Sequence, residues 1–268
     1  MSNVSILRQK DMLALLSSGF RADHRKLDEY RKIEIQTSLY EKADGSALVK
    51  IGNTVAVAGV KIEVGEPFPD TPNEGILTVN LELLPHASPS FEPGPPDENA
   101  IEMARIIDRG LRESKSINYE ELCIIPGQKV WVIYVDISVM DHDGNIVDAA
   151  GLAALAALLT AKIPEVKVEN GSITFLDKKR PLPIKEKPIP VTVAKIGEYL
   201  LVDPSLSEEE VSDVRVTFTT LESSLIASIQ KSGSGTLTEE EVLKIYDLAY
   251  KKAVEIRSKL NELGVENG

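Results

Sequence analysis

The sequence predicts an α+β protein in two lobes, and three observations lead there. Runs of β-branched residues separated by turn dipeptides fill the early chain. A proline- and lysine-rich stretch at residues 177–190 interrupts it, and strands followed by a helix return beyond that stretch. Each lobe then consists of several antiparallel strands with helix after them, although no clear sequence repeat relates the two.

The elements follow in order. Residues 5–19 (SILRQKDMLALLSSG) place Ile6, Leu7, Met12, Leu13, Leu15 and Leu16 largely on one helical face, with Gly19 as the stop; residues 1–20 form a helical arm. Residues 31–39, 45–52 and 53–65 read as an antiparallel meander turning at ADG and GN. Another strand, GILTVNLELLP, precedes PHASPSFEPGPPDEN, whose prolines forbid regular structure and predict an exposed loop. Residues 98–114 set Ile101, Ala104, Ile107 and Leu111 at helical spacing, with Arg105, Arg109 and Arg112 mostly elsewhere on the wheel. KVWVIYVDISVMDHDGN is a strand ending in an Asp-Gly turn, feeding an alanine-rich helix from near Asp148.

Beyond the connector, VTVAKIGEYLLVDPS predicts a hairpin turning at residues 196–197, and DVRVTFTT and SLIASIQKSG predict two more strands. The last helix begins at Thr238 in a capping box with Glu241 and carries Val242, Ile245, Leu248, Ala249, Ala253, Ile256, Leu260 and Leu263 before Gly264. The expected division is an arm at 1–20, a first domain at 21–176, a connector at 177–190 and a second domain at 191–264.

Bulk properties narrow the function. A chain of 268 residues with 43% hydrophobic and 27% charged residues has an ordinary globular composition and enough length for a well-buried core. A net charge of -12 argues against a broadly basic nucleic-acid coat but leaves room for a locally basic groove. Cys123 is the single cysteine, which excludes an intramolecular disulfide and a cysteine zinc site and suits a reducing compartment. No secretion signal and no apolar run of about 18 residues occur, so a cytoplasmic location without membrane contact is expected.

Candidate chemistry concentrates in DPSLSEEEVSDVRVTF, residues 203–218. Ser207 with Glu210 fits a short capping box, and Arg215 suits neutralisation of the acids better than a metal site does. In MDHDGN, Asp141, His142 and Asp143 point in different directions on a turn, so a solvated turn is preferred to metal-dependent hydrolysis. His24 and His86 lack zinc spacing, and no phosphate-binding glycine loop or Gly-x-Ser-x-Gly elbow occurs. Arg105, Arg109 and Arg112 fit an ordinary soluble helix face, or one that holds successive phosphates of a single strand.

Several of these pieces, in this order, resemble the RNase PH family. FRADHRKLDEYRKIEI resembles its Arg-x-Asp-Gly-Arg entry motif, with His24 at the glycine position; GNTVAVAGVKIEVGEP and IEMARIIDRGLRES resemble the strand and Glu-containing helix that follow. The resemblance spans about residues 20–260. It implies the two-lobed RNase PH fold (ribosomal protein S5 domain 2-like), with antiparallel and mixed sheets packed with helices. It further implies a six-subunit ring and phosphate-dependent 3′-end processing of RNA.

Against that pattern the catalytic pieces are missing. Active members carry Gly-Ser-Arg or Gly-Thr-Arg before the central helix, where Ile146 and Val147 take the hydroxyl and arginine positions; aliphatic side chains cannot hold a dianion. Glu209 aligns near the first catalytic aspartate and Arg215 at the second. Glu98 and Asn99 stand where the family has paired arginines before Glu102. This combination is closest to the non-catalytic RNase PH-like subunit of the archaeal exosome.

That resemblance implies an alternating hexamer of three heterodimers with a catalytic RNase PH-like partner, RNA-binding cap subunits, single-stranded RNA in the channel and no cofactor. The chain would order the partner's site and touch RNA, through Arg112 first and Arg109 second, while Arg105 faces an interface or solvent. The alternative is that the chain is itself an active phosphorolytic exoribonuclease using Asp203 or Asp213.

Overall fold

The structure is a computed structural model. It describes residues 3–169 and 171–262, with side chains from residue 8 onward. Leu263 and the side chains of Ile6 and Leu7, assigned to helices from sequence, and Gly264, expected just after the last helix, lie outside the described residues.

The expected meander forms in the first lobe. Strands β1 (Ile33–Thr37), β2 (Gly45–Ile51) and β3 (Thr54–Gly65) pair antiparallel in sequence order. The alternating burial of β3 puts Ala56, Ala58, Val60 and Ile62 into the core. The next strand, β4 (Ile76–Leu83), does not extend the meander. The helix α2 (Glu98–Glu113) carries the chain across the sheet, and a short β5 (Cys123–Ile125) precedes the long β6 (Lys129–Asp141). β6 lies between β3 and β4, antiparallel to the first and parallel to the second. A parallel pair needs such a crossover, so the sheet is mixed, as the family resemblance implied, although strand patterning alone suggested antiparallel pairing.

Helix α3 (Ile146–Thr160) begins two residues before the predicted Asp148 and is buried nearly all round. It packs on β2 and β3 on one side and on β9 (Ile189–Ile196) of the second lobe on the other. Alanines on every face permit this, because a small side chain lets backbone approach from two directions.

After α3, the strands β7 (Lys162–Glu169) and β8 (Ser172–Pro181) make a separate two-stranded ribbon. The stretch expected to be a connector over 177–190 is therefore partly strand, and the irregular link is 182–188. Pro181 ends β8, a position where its missing N–H is tolerated, so the prolines were a poor guide to where the strand stops.

The second lobe is a four-stranded antiparallel sheet in the order β10-β9-β11-β12, with β10 (Tyr199–Val202), β11 (Val214–Thr220) and β12 (Ile226–Ser232) as predicted. Gly197 has φ +60° in the β9–β10 turn, a left-handed geometry that favours glycine. A short helix α4 (Leu206–Val211) sits between β10 and β11, and α5 (Glu239–Glu262) covers β9 and β11. The Thr238 and Glu241 capping box is present: each side chain accepts the other's backbone N–H, at 3.2 and 2.8 Å.

One continuous core runs through both lobes around α3. A smaller cluster seats the N-terminal helix α1 (Asn3–Ser17), whose Met12 and Leu16 pack on Ile196, Leu201 and Val211. The arm thus lies against the second lobe. Leu15 and Ile101, expected on the apolar faces of α1 and α2, are exposed instead. Among the described residues no helix is long and apolar enough to cross a membrane.

Candidate functional site

A cleft of about 250 Å³ lies where the lobes meet, and its lining includes Glu102 of α2, Asn145, Ile146 and Val147 at the start of α3, Glu209 of α4 and Arg215 of β11. The positions read as degenerate from sequence therefore converge on one place. The α2 arginines do not line it. Arg112 borders a separate hollow with Tyr119 and Lys185.

The turn into α3 is built for this meeting. Gly144 and Asn145 both adopt left-handed backbone, φ +86° and +56°, which glycine takes freely and asparagine tolerates. A Cβ at Gly144 would run into the backbone of Ser205 and Leu206. Thr54 Oγ1 donates to the Gly144 carbonyl at 2.6 Å, Arg31 donates to the Asp143 carbonyl at 2.6 Å, and Leu206 N–H donates to that same carbonyl at 3.1 Å. The turn is pinned from both lobes.

Asn145 precedes α3 without capping it through its side chain. Its Nδ2 donates to Asp148 at 2.8 Å and to Asp203 at 2.7 Å, while its backbone N–H donates to Glu209 Oε1 at 3.0 Å. Arg215 Nη1 reaches the same Glu209 oxygen at 2.9 Å. Arg215 does neutralise an acid of the cluster, and the acid is Glu209. Ile146 and Val147 add only apolar wall.

The three glutamates of α4 have three separate partners. Glu208 is buried, paired with Arg21 at 2.6 Å, and completes a capping box with Ser205. The box predicted from Ser207 and Glu210 is thus displaced by two residues, because the helix starts earlier. Glu210 faces outward and pairs with Arg8 at 2.7 Å. Among the described residues no pair of free carboxylates converges here, as general acid/base chemistry requires.

Asp203 and Asp213, the alternative catalytic acids, are engaged elsewhere. Asp203 is fully buried and accepts from Arg31 Nη2 at 2.7 Å, Arg25 Nη1 at 3.0 Å and Asn145 Nδ2 at 2.7 Å. Asp213 accepts from Gln9 at 3.0 Å and from Gly197 N–H at 2.8 Å. Asp148 is the acid that burial perturbs most clearly. Desolvation raises its carboxyl to about 6 despite hydrogen bonds from Tyr30, Thr192 and Asn145 that favour the charged form.

His142 stacks on Phe91 with ring centroids 5.3 Å apart, and burial lowers its pKa below the ordinary imidazole value. Among the described residues no three His, Cys, Asp or Glu side chains converge as a metal site. His24, at the glycine position of the entry motif, takes φ +65°, so the glycine-type backbone persists without the glycine.

The arginines of α2 differ in how far their side chains are engaged. Arg112 is held by Asp108 at 2.7 Å and by the Leu77 carbonyl at 3.0 Å, whereas Arg109 makes a single side-chain hydrogen bond among the described residues, to Gln230 at 3.3 Å. Arg105 is exposed and, among the described residues, makes no side-chain hydrogen bond or ion pair. Sequence reading missed Asn145, Asp148, Thr192 and the Arg21–Glu208 pair; the Asp-Gly-Asn turn and the Arg-x-Asp entry motif were the available signals.

Comparison with known proteins matches both lobes of the chain. Models described as 3′ exoribonuclease family, domain 1 and domain 2, match residues 29–164 and 187–252. The chain is 54% identical over 260 residues to exosome complex component Rrp42 of Thermococcus onnurineus, covering 96% of this chain and 95% of that protein. Its counterpart from Pyrococcus abyssi is 52% identical over 261 residues, with 97% and 95% covered. A structure of the Archaeoglobus fulgidus exosome with RNA bound to the active site has a chain that superposes with TM-score 0.88 at 43% identity, covering 97% of this chain and all (100%) of that one. An archaeal exosome core gives 0.84 at 40% identity, with 96% and 98% covered. With both domains present in order on a shared two-lobed fold, the chain belongs to the RNase PH family of 3′ exoribonucleases.

Proposed function

We propose that the chain is the non-catalytic RNase PH-like subunit of an archaeal-type exosome core, acting in phosphate-dependent 3′-to-5′ RNA degradation through assembly and RNA contact. The observation that carries this reading is the Arg215–Glu209 ion pair at 2.9 Å. The position aligned with the second catalytic aspartate holds a cation, and that cation consumes the acid at the first. Ile146 and Val147 leave no hydroxyl or guanidinium for an attacking phosphate.

The chain then orders a catalytic RNase PH-like partner in an alternating ring of three heterodimers, on which RNA-binding cap subunits sit, in the cytoplasm. Its contribution to single-stranded RNA comes from α2. Arg105 and Arg109 stand one turn apart and have free donors for successive phosphates, while Arg112 is held by Asp108 and β4 and ranks last. Such contacts read backbone and carry no base identity.

The test is release of nucleoside diphosphates from single-stranded RNA and inorganic phosphate, with and without magnesium. The expected result is no release by the purified chain and release once the catalytic partner is added. Release by the chain alone that persists through purification would overturn the reading and restore the active-exoribonuclease alternative.

A further inference from the structure

We infer that Glu209 is a built-in anion seated at the N-terminal end of α3, and that its pairing with Arg215 closes the cleft to inorganic phosphate. The inference rests on the cleft being non-catalytic and adds what now occupies it. An α-helix presents unpaired N–H groups and partial positive charge at its start, a place where an oxyanion is stabilised. In α3 the carboxylate that reaches this end is contributed from α4. Glu209 Oε1 accepts the Asn145 N–H at 3.0 Å and Arg215 at 2.9 Å.

The acid in the first turn of α3 itself does not take this role. Asp148 turns inward, accepting from Tyr30 at 2.6 Å and from the Thr192 hydroxyl at 2.7 Å. Glu209 is well enclosed, its side chain 12% exposed, and Arg215 is the cation that lines the cleft. A phosphate entering there would meet Glu209 as a like charge and find the Asn145 N–H and Arg215 Nη1 already engaged. Glu102, which also lines the cleft, adds to the repulsion. Removing the Glu209 charge leaves Arg215 and the amide end facing the same space. Asn145, which lines the cleft, also keeps a buried Oδ1 without a partner among the described residues, and the hydroxyl of monohydrogen phosphate is a donor of the kind it lacks.

The experiment titrates inorganic phosphate into the full chain and follows binding by calorimetry and phosphorus NMR. The parent is compared with Glu209→Gln, Glu209→Ala and Glu209→Gln combined with Arg215→Ala. Glu209→Gln keeps the shape and an acceptor for the Asn145 N–H, so it tests charge even if the alanine variant folds poorly. The parent should show no saturable uptake, Glu209→Gln should bind at least about tenfold more tightly, and the added Arg215→Ala should abolish the gain. Equal phosphate binding by the parent, or no gain in folded Glu209→Gln, would overturn the inference. Neither result depends on whether the unpartnered chain releases nucleoside diphosphates, so this inference and the non-catalytic reading fail separately.

Discussion

Arg21 and Glu208 meet in a two-pronged ion pair, Nε to Oε1 at 2.9 Å and Nη2 to Oε2 at 2.6 Å, with side chains 0% and 1% exposed. The residues are 187 positions apart and bind the entry motif to the acidic segment of the second lobe. Arg21 also donates to the Val202 and Asp203 carbonyls, both at 2.8 Å, so its remaining donors are used in place. Removing either partner strands the other in the interior. Arg21→Ala and Glu208→Ala should each cost about 3–5 kcal/mol, and the double variant clearly less than their sum. Urea denaturation of the four proteins measures this.

The turn before α3 should be equally intolerant of a single methyl group. Gly144→Ala combines a left-handed backbone with a collision against the Ser205–Leu206 backbone. A loss of about 2–4 kcal/mol is expected from strain and overpacking together. Thermal denaturation against the parent is the check, and an unchanged midpoint would mean the turn can move away from α4.

RNA contact should separate the α2 arginines. In the ring assembled with the catalytic partner, Arg105→Ala and Arg109→Ala should each weaken single-stranded RNA binding uniformly across sequences. Each should also reduce the salt dependence, by about 0.7 in the log–log slope per lost phosphate contact. Arg112→Ala should lower the stability of the free chain and leave that slope nearly unchanged, since its guanidinium serves Asp108 and the Leu77 carbonyl. Fluorescence anisotropy over a range of salt concentrations distinguishes the three.

Asp148 predicts a pH dependence of stability. Its folded carboxyl is raised from 3.8 to about 6 by burial, so the folded chain holds the proton more tightly than the unfolded chain does. The contribution is whole below about pH 4 and is lost as pH rises through about 6. Across that window the parent should lose on the order of 2–3 kcal/mol relative to Asp148→Asn, whose own stability is lower because Tyr30 and Thr192 lose a carboxylate acceptor. Urea midpoints between those two pH values test the slope, and parallel profiles for the two proteins would contradict it.

Much of the architecture was legible along the chain. Alternation in residues 31–65 announced the meander and the alanines of 149–161 announced a close-packed helix, while Glu209 and Arg215 stood out only against the family pattern they resemble. The first two are near-neighbour properties, carried by side-chain period and size. The cap lies at Ser205 rather than Ser207 because a run of serines and glutamates offers two registers, and at the observed helix start the Leu206 N–H bonds to the Asp143 carbonyl across the lobes.

Pairings across the lobes were not legible. Three consecutive glutamates have the same local chemistry, yet Glu208 goes to buried Arg21, Glu209 to Arg215 and the α3 amide end, and Glu210 to surface Arg8. Composition and pattern thus disclosed the element types, and the resemblance carried by the quoted motifs pointed to the family. Which charge meets which partner, and that one carboxylate caps α3 inside the cleft, followed from lobe closure, because electrostatic energy depends on distance and burial rather than separation along the chain.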